Sequence, residues 1–595
     1  MSLRRCALVG ALLLAACDAG DISEERVDAP DASRVYDGAA GSEDDAGNPH
    51  VDAGHPMDAS MPMDAAMQDA APLDSGPRDS GPIDAGPLDT GPPQKPIVMF
   101  NPPGRGFSDS MLLTLSPGES GAKVHFTVDG SLPTATSPEV AGAITISATT
   151  VVRALALRDG ISTPVFNESY FQLDADVQSF TSNLPIVVVH MLGGAAPMPS
   201  NRSYVGATFG WFDTGSARAM LAGPAAHTSR LGVKIRGRSS RQQAKPSYTL
   251  ELWGNAQEDA PAPLLGMPED GDWVLYAPYD WDKSMMHNAF AYDLSRKVGH
   301  YAPRTKYCEV FLVAGNTKVT MAGYAGVYVF TERLTRSKDR VAIEKLVPGD
   351  TVDPIRSGGY IIKVDEPDEP SEAFSAAGLQ FVYVDPDVDE IVPEQTQYIK
   401  DYLDACKRAA AATDGIDPTT GKHYSELMDV PSFIDHHILT VLMKNPDGFA
   451  LSSYFYKDRN GKLFAGPLWD FDLGMGAYDI WGMRSIDPTH WGPGTTESMF
   501  RRSFWGPLFT HAEFATAYWA RWDELLATLF TSAKFNETIE AWKTQLTEAE
   551  ARNRVRWPAG APRNNSYPDE IGALETWLDA RLTWITANKG TTPPP

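Results

Sequence analysis

Lys444-Asn445-Pro446-Asp447-Gly448-Phe449 leads into Ser453-Tyr454-Phe455-Tyr456-Lys457-Asp458, then an Asn460-Gly461 pair, then Leu463-Phe464-Ala465-Gly466-Pro467-Leu468-Trp469, which delivers Asp470-Phe471-Asp472-Leu473-Gly474. Two aromatic-rich runs around Asn-Gly predict a β-hairpin, because that pair readily takes the positive φ angles of a tight turn. A hairpin brings its outer ends together, so Asp447 and Asp470 are expected at one end of one ribbon. Two carboxylates so placed can divide labour. One accepts a proton from an attacking hydroxyl, and the other holds a divalent cation against a transferred phosphate.

Working outward, helical stretches flank the hairpin. Ile571, Leu574, Trp577, Leu578, Leu582 and Ile585 recur at helical spacing with Arg581 between them, which predicts a core-facing helix. His436-His437 reads as helix packing, since adjacent residues on a helix point about 100° apart and do not chelate one metal. Upstream, Gly323-Tyr324-Ala325-Gly326-Val327-Tyr328-Val329-Phe330-Thr331-Glu332 is a Gly-led strand ending in a carboxylate, which can hold a lysine for phosphate contact. Arg236-Gly237-Arg238-Ser239-Ser240 supplies positive charge, a closely approaching backbone and hydroxyls, a combination that suits a phosphate chain. Lys245 heads the alternating run that follows, and Leu184-Pro185-Ile186-Val187-Val188-Val189 opens the domain as a buried strand. Strands and helices so mixed make a domain of α+β class spanning about 183–588. It carries no Gly-x-Ser-x-Gly elbow, Walker loop or HExxH.

The ordered set Arg236–Ser240 with Lys245, Asp282-Lys-Ser-Met-Met-His-Asn288 with Ala291-Tyr-Asp-Leu294, Gly326–Glu332, Asn445-Pro-Asp447 and Trp469-Asp-Phe-Asp472 resembles the CotH kinase family. The resemblance implies an atypical, distantly protein-kinase-like fold that binds ATP with Mg²⁺ or Mn²⁺ and phosphorylates Ser residues of exported proteins. By position it makes Asp447 the catalytic residue and Asp470 and Asp472 the metal-binding acids. Lys245, with Glu332 as its acidic partner, and Arg236 then become the nucleotide-contacting candidates. The chain departs from the family pattern in four ways. Gly448 to Ser453 offers hydroxyls where a metal-liganding Asn is usual, His287 stands where Arg is often found, Arg238 stands where Asn is usual, and the one lysine Lys245 stands where two are common.

Before this domain, Val124–Val128, Ala143–Ile146 and Thr150–Ala156 alternate between turn signals at Asp129-Gly130 and Asp159-Gly160, which predicts a small all-β sandwich over 96–173. Phe126-Thr-Val-Asp-Gly-Ser-Leu-Pro-Thr134 and Val152-Arg153-Ala154 resemble the β-sandwich modules beside chitobiase catalytic domains. That implies an accessory role with possible glycan contact, although core packing is the expected use of Phe126 and Tyr170. Residues 17–95 are rich in Asp, Ala, Gly and Pro, with a five-residue repeat starting at Asp74, Asp79, Asp84 and Asp89, and cannot bury enough apolar surface to order themselves. They are expected to form a disordered acidic linker.

Arg4 and Arg5 followed by the apolar run Ala7–Ala16 read as a signal peptide over 1–16. Leu14-Ala15-Ala16-Cys17 resembles a bacterial lipobox, which implies lipidation at Cys17 and a membrane-anchored lipoprotein of the cell envelope, attached by lipid alone. Cys308 and Cys406 then remain free to pair in an exported chain.

Of the net charge of −26, residues 18–95 hold 18 acidic against 4 basic residues. No basic stripe offsets this, so nucleic-acid binding is excluded on charge. Two functions stay open. One is a surface-anchored kinase acting on exported or coat proteins. The other is a catalytically inactive surface-assembly protein contacting envelope proteins or glycans, a reading supported by the scarcity of ATP outside the cytoplasmic membrane.

Overall fold

The computed structural model describes residues 97–590 apart from 199–202, 214, 216, 239, 316–317, 478–484 and 493–497. The expected signal peptide, Cys17, the linker 17–95, Ser239 and the tail 591–595 lie outside the described residues. The described residues form one compact unit.

Eight short strands build the sandwich: β1 (Val98–Asn101), β2 (Arg105–Phe107), β3 (Met111–Pro117), β4 (Lys123–Thr127), β5 (Ile144–Ile146), β6 (Thr150–Arg158), β7 (Ile161–Ser162) and β8 (Phe166–Gln172). One sheet has order β1-β3-β5 and the other β2-β8-β6-β4, with β7 beside β6. Alternate residues of both sheets meet in a core of Val98, Leu113, Leu115, Val124, Val152 and Ala154. Tyr170 is buried in that core and Phe126 packs at its margin, as expected. None of the six aromatic residues between 97 and 172 is exposed. The sandwich is fixed to the next layer by polar contacts. Arg153 donates to Gly130 O and to Asn255 Oδ1, both at 2.8 Å, and Thr228 Oγ1 donates to Glu168 Oε2 at 2.6 Å.

After a small ribbon of β9 (Thr181–Ser182) and β12 (Ala219–Met220), seven strands close a barrel. They are β10 (Ile186–Met191), β11 (Val205–Phe212), β13 (His227–Ile235), β14 (Tyr248–Trp253), β15 (Asp272–Tyr276), β16 (Thr305–Ala314) and β17 (Tyr324–Glu332), in the order β10-β11-β13-β14-β15-β17-β16. The Leu184–Val189 run is apolar throughout because β10 is covered on both faces. Val187 and Val189 join the barrel interior, whereas Ile186 and Val188 pack outward with Phe171 and Phe311.

A second open sheet has order β19-β20-β18-β21-β22, from β18 (Tyr360–Val364), β19 (Ala373–Ala376), β20 (Leu379–Asp385), β21 (Ser453–Lys457) and β22 (Leu463–Ala465). The predicted hairpin is β21–β22, but its last pair is Lys457↔Leu463, so Asn460-Gly461 sits inside a five-residue connection instead of forming a two-residue turn. Eight α-helices complete the described residues: α1 (His287–Val298), α2 (Pro393–Ala411), α3 (Tyr424–Leu427), α4 (Val430–Met443), α5 (Trp505–Leu508), α6 (Ala512–Thr528), α7 (Ser532–Arg556) and α8 (Tyr567–Asn588). The helical pattern read in Ile571–Ile585 is α8, with all six apolar positions buried. Its Arg581 is also buried and donates to the carbonyls of Val441 and Leu442 at the end of α4, and to Pro488, His490 and Trp491. That clamp fixes the chain just before Asp447. His436 and His437 lie inside α4, and His437 bonds Tyr518 at 2.9 Å, which agrees with helix packing. Cys308 and Cys406 are both free and buried, so they do not pair.

Candidate active site

The hairpin does what its sequence predicts. Ser452, just before β21, donates to Asp470 Oδ2 at 3.3 Å, and Asn445 Nδ2 donates to Asp470 O at 3.0 Å. Asp447 follows α4 on a loop braced by its own neighbour, Asn445 Oδ1 accepting from Asp447 N at 3.3 Å. Lys444, Phe449, Ser452 and Asp470 all adopt positive φ, between 50° and 69°. Side chains rarely hold that conformation, and such outliers gather where surrounding structure enforces a working geometry.

The Asp282–Asn288 segment, at the start of α1, is the brace for the second acid loop. Asp282 accepts from Ser284 Oγ at 2.7 Å and from the backbone N–H groups of Met286 and His287, anchoring the first turn of the helix. From that turn Asn288 Oδ1 accepts from Phe471 N at 2.7 Å, and His287 Nδ1 lies 3.1 Å from Asp472 O. One helical turn on, Tyr292 OH accepts from Asp470 N at 3.2 Å while its ring stacks on Trp469. His287 therefore holds the backbone of the acid loop from the position where the resemblance led one to expect Arg.

Three carboxyls share the centre. Asp447 is pushed up to about 6 by burial, then by repulsion from Asp470 and Asp365, against a smaller pull from Arg502. Asp470 is raised by burial and opposed by Arg236. Asp472 stands well above the usual range through burial, then repulsion from Asp470, Asp282 and Asp447, and the Tyr276 hydroxyl 3.3 Å away offsets only part of this. Negative charge is thus in excess over the cations nearby, which is the condition a divalent cation relieves. Among the described residues no group of three or more His, Cys, Asp or Glu side chains is arranged to hold a metal ion alone. Mg²⁺ on nucleotide phosphates needs only one or two carboxylates, so Asp470 and Asp472 fit that use.

Of the three predicted nucleotide contacts, Arg236 reaches this centre. It lies over the Trp469 ring at 4.9 Å and is attracted by Asp470. Lys245 and Glu332 do not come together as expected. Lys245 is buried and donates to Pro278 O at 3.0 Å, to Val327 O and to Asn553 Oδ1 at 3.1 Å. Glu332 lies five residues further along β17, about 17 Å at the rise of a strand. Its carboxylate accepts from Arg304 Nη1 at 2.6 Å, Arg304 N at 2.8 Å and Tyr301 OH at 3.1 Å, so its cation is an arginine. The Gly in Gly326-Val327 also has a packing cause. It has φ of 91°, and a Cβ there would collide with Asn553 Oδ1 of α7.

Four residues of the centre were missed from the sequence: Tyr276, Arg502, Lys363 and Asp365. Lys363, on β18 opposite Tyr454, pairs with Asp365 at 2.7 Å. Both act electrostatically on Asp470, and Asp365 also acts on Asp447. A signal was present, because Lys363 is the one charge in the otherwise apolar strand Tyr360-Ile-Ile-Lys-Val364.

The family model described as CotH kinase protein matches residues 233–585, well over half of the chain. A second model, described as Chitobiase/beta-hexosaminidase C-terminal domain, matches residues 102–167, within the sandwich. No curated protein matches. Among solved structures, the chain is similar to one from a complex titled Shewanella oneidensis MR-1 Toxin Antitoxin System HipA, HipB and its operator DNA. The identity is 11%, with 56% of this chain and 63% of that chain covered, so less than two thirds of that chain is spanned. The TM-score is 0.25, too slight a likeness to bear on fold or function.

Proposed function

Because the chain belongs to the CotH kinase protein family, we propose that it is an atypical protein kinase transferring phosphate from ATP to Ser or Thr hydroxyls of exported or surface proteins. The proposal includes its place, the bacterial cell envelope, with lipid on Cys17 as the anchor. The observation that carries the reading is the convergence of Asp447, Asp470 and Asp472 in one half-buried, negatively overcharged centre on a strained backbone, beside Arg236.

When bound, ATP supplies the phosphoryl group and Mg²⁺ or Mn²⁺ the charge that neutralises its oxygens. The chain's own residues do the rest. Asp447 accepts the proton of the acceptor hydroxyl as the acceptor oxygen bonds to the γ-phosphorus and ADP is displaced. Burial and neighbouring acids hold its carboxyl near 6, which makes it a better proton acceptor than an ordinary aspartate while leaving it ionised at neutral pH. Asp470 and Asp472 would hold the cation, and Asn288, His287 and Tyr292 fix the loop that presents them. Arg236 would face the phosphate charge, its guanidinium placed over the Trp469 ring at 4.9 Å.

The test is transfer of label from γ-labelled ATP by the purified protein with Mg²⁺ or Mn²⁺, alongside Asp447→Asn. Label on the protein or on an added exported protein, lost by at least about a hundredfold in the variant, is the expected result. Equal silence of wild type and variant, with no nucleotide binding by calorimetry, would replace the kinase by a surface-assembly protein. Loss of membrane fractionation in Cys17→Ser checks the anchor separately.

A further inference from the structure

An ammonium has three N–H donors, and what already occupies them decides whether it can meet a ligand. Lys245 has all three directed at protein oxygens, those of Pro278, Val327 and Asn553. Lys363 is different. Its side chain is half-buried and lies toward the Tyr454 ring at 5.9 Å, and its hydrogen bond among the described residues is the one to Asp365. Asp365 is in turn repelled by Asp447 and Asp470, so this ion pair stands at the edge of an overcharged acidic centre. Arg236 lies within electrostatic reach of both Lys363 and Asp470. Its guanidinium rests on Trp469 and makes no hydrogen bond among the described residues.

We infer that Lys363, and not Lys245, is the lysine of the phosphate-binding face: it exchanges Asp365 for a phosphate oxygen of the bound nucleotide, with Arg236 as the second cation. The inference rests on the phosphotransferase reading above. Physically, a flexible four-carbon stem with free donors can turn from a local carboxylate to a more highly charged anion at small cost. Asp365 gains nothing from keeping its partner once the cation-loaded phosphates lie nearer, and its own repulsion by Asp447 and Asp470 is then screened by that cation. The strand supplies the placement, since Lys363 sits on β18 between β20 and β21, and β21 leads directly from Ser452 beside Asp470.

The experiment is calorimetric titration of the full chain with ATP and, separately, with inorganic triphosphate, in Mg²⁺. It compares wild type with Lys363→Ala, Lys363→Arg and Asp365→Asn, each first shown to melt cooperatively. Lys363→Ala is expected to weaken both ligands by about tenfold or more, Lys363→Arg to keep most of the affinity, and Asp365→Asn to bind as tightly as wild type or tighter. That last direction separates a ligand role from a scaffold role, because a merely structural ion pair fails from either side. If wild type binds ATP and Lys363→Ala binds it equally, or Asp365→Asn loses affinity as Lys363→Ala does, this inference falls and the kinase reading stands. If wild type binds neither ligand, both fall together.

Discussion

Lys245, in the connection before β14, and Lys363, on β18, both lie near acids, yet they sit in opposite kinds of environment. Around Lys245 every donor meets a neutral oxygen, burial pulls the ammonium down to about 7, and Asn553 at once accepts from Lys245 and from Val327 N. Around Lys363 burial also pulls the ammonium down, but Tyr454 and Asp365 outweigh it and the group titrates above its ordinary value. The first region balances donors against acceptors and so tightens the fold, joining the β13–β14 connection to β17 and α7. The second leaves charge unbalanced and donors unused, which favours a ligand. Satisfied hydrogen-bond capacity, more than residue type, tells the two roles apart.

The largest expected effect follows from the closed side of this comparison. Lys245→Met removes a donor group from three oxygens; Asn553 Oδ1 keeps Val327 N, so the loss falls on the carbonyls of Pro278 and Val327, at on the order of 1–3 kcal/mol each. Urea denaturation should show a loss of about 3 kcal/mol or more, while the folded fraction at low temperature keeps its nucleotide affinity. A variant as stable as wild type that no longer binds nucleotide would reverse the assignment of the two lysines. Glu332→Gln comes next. It leaves Arg304 without its carboxylate at a fully buried acceptor, and about 2 kcal/mol of stability should go, again without an effect on nucleotide binding.

The hairpin and its acids were legible from Asp447 to Asp472 because local alternation and turn chemistry decide a hairpin, and a hairpin decides which ends meet. The sandwich and the C-terminal helix were legible for the same reason of period. The pairing of Lys245 with Glu332 was not, since it depended on register. Five residues along β17 separate Val327, which Lys245 touches, from Glu332, and no local pattern reports how far along a neighbouring strand a side chain lands. The closed barrel was unread because closure depends on the parallel β10–β16 contact between strands more than a hundred residues apart. Lys363 was passed over because one lysine in a short apolar strand looks like an edge charge until its sheet is known to place it beside Asp470.

The open side of the comparison predicts a linkage between protons and cation. Asp447, Asp470 and Asp472 all have their folded-state values raised, with burial the first cause of each. A carboxyl raised on folding favours the folded state while it is protonated. The contribution of these three groups to the stability of the metal-free chain is therefore fully present below the ordinary aspartate range near 4 and is lost as pH rises through about 6 at Asp447, with Asp470 and Asp472 acting in the same direction. A divalent cation replaces the lost protons. The gain in Tm from Mg²⁺ should accordingly be larger near pH 7.5 than near pH 5, by a few degrees, and should shrink in Asp470→Asn. A gain independent of pH, or unchanged in that variant, would place the cation elsewhere and remove the open side of the comparison.

The smallest effect concerns Arg238, which shares the basic segment with Arg236 and stands where the family carries Asn. Its ion pair with Glu366 is 2.8 Å long, but both side chains are 56% exposed, so water and salt screen it. It donates as well to Pro367 O at 3.3 Å, which directs it to the outer loop after β18 and not to the acids. Arg238→Ala should change stability by less than about 0.5 kcal/mol and nucleotide affinity by no more than about twofold, with the small change fading at high salt. Arg236→Ala, two residues away, should cost about tenfold or more, because it removes both the cation attracted by Asp470 and the group stacked on Trp469. Equal losses at the two positions would mean that the phosphate-binding face extends outward along the loop to Glu366, and that exposure does not mark its edge. Equal indifference would mean that stacking on Trp469 has turned Arg236 into a member of the fold, as three oxygens have done for Lys245.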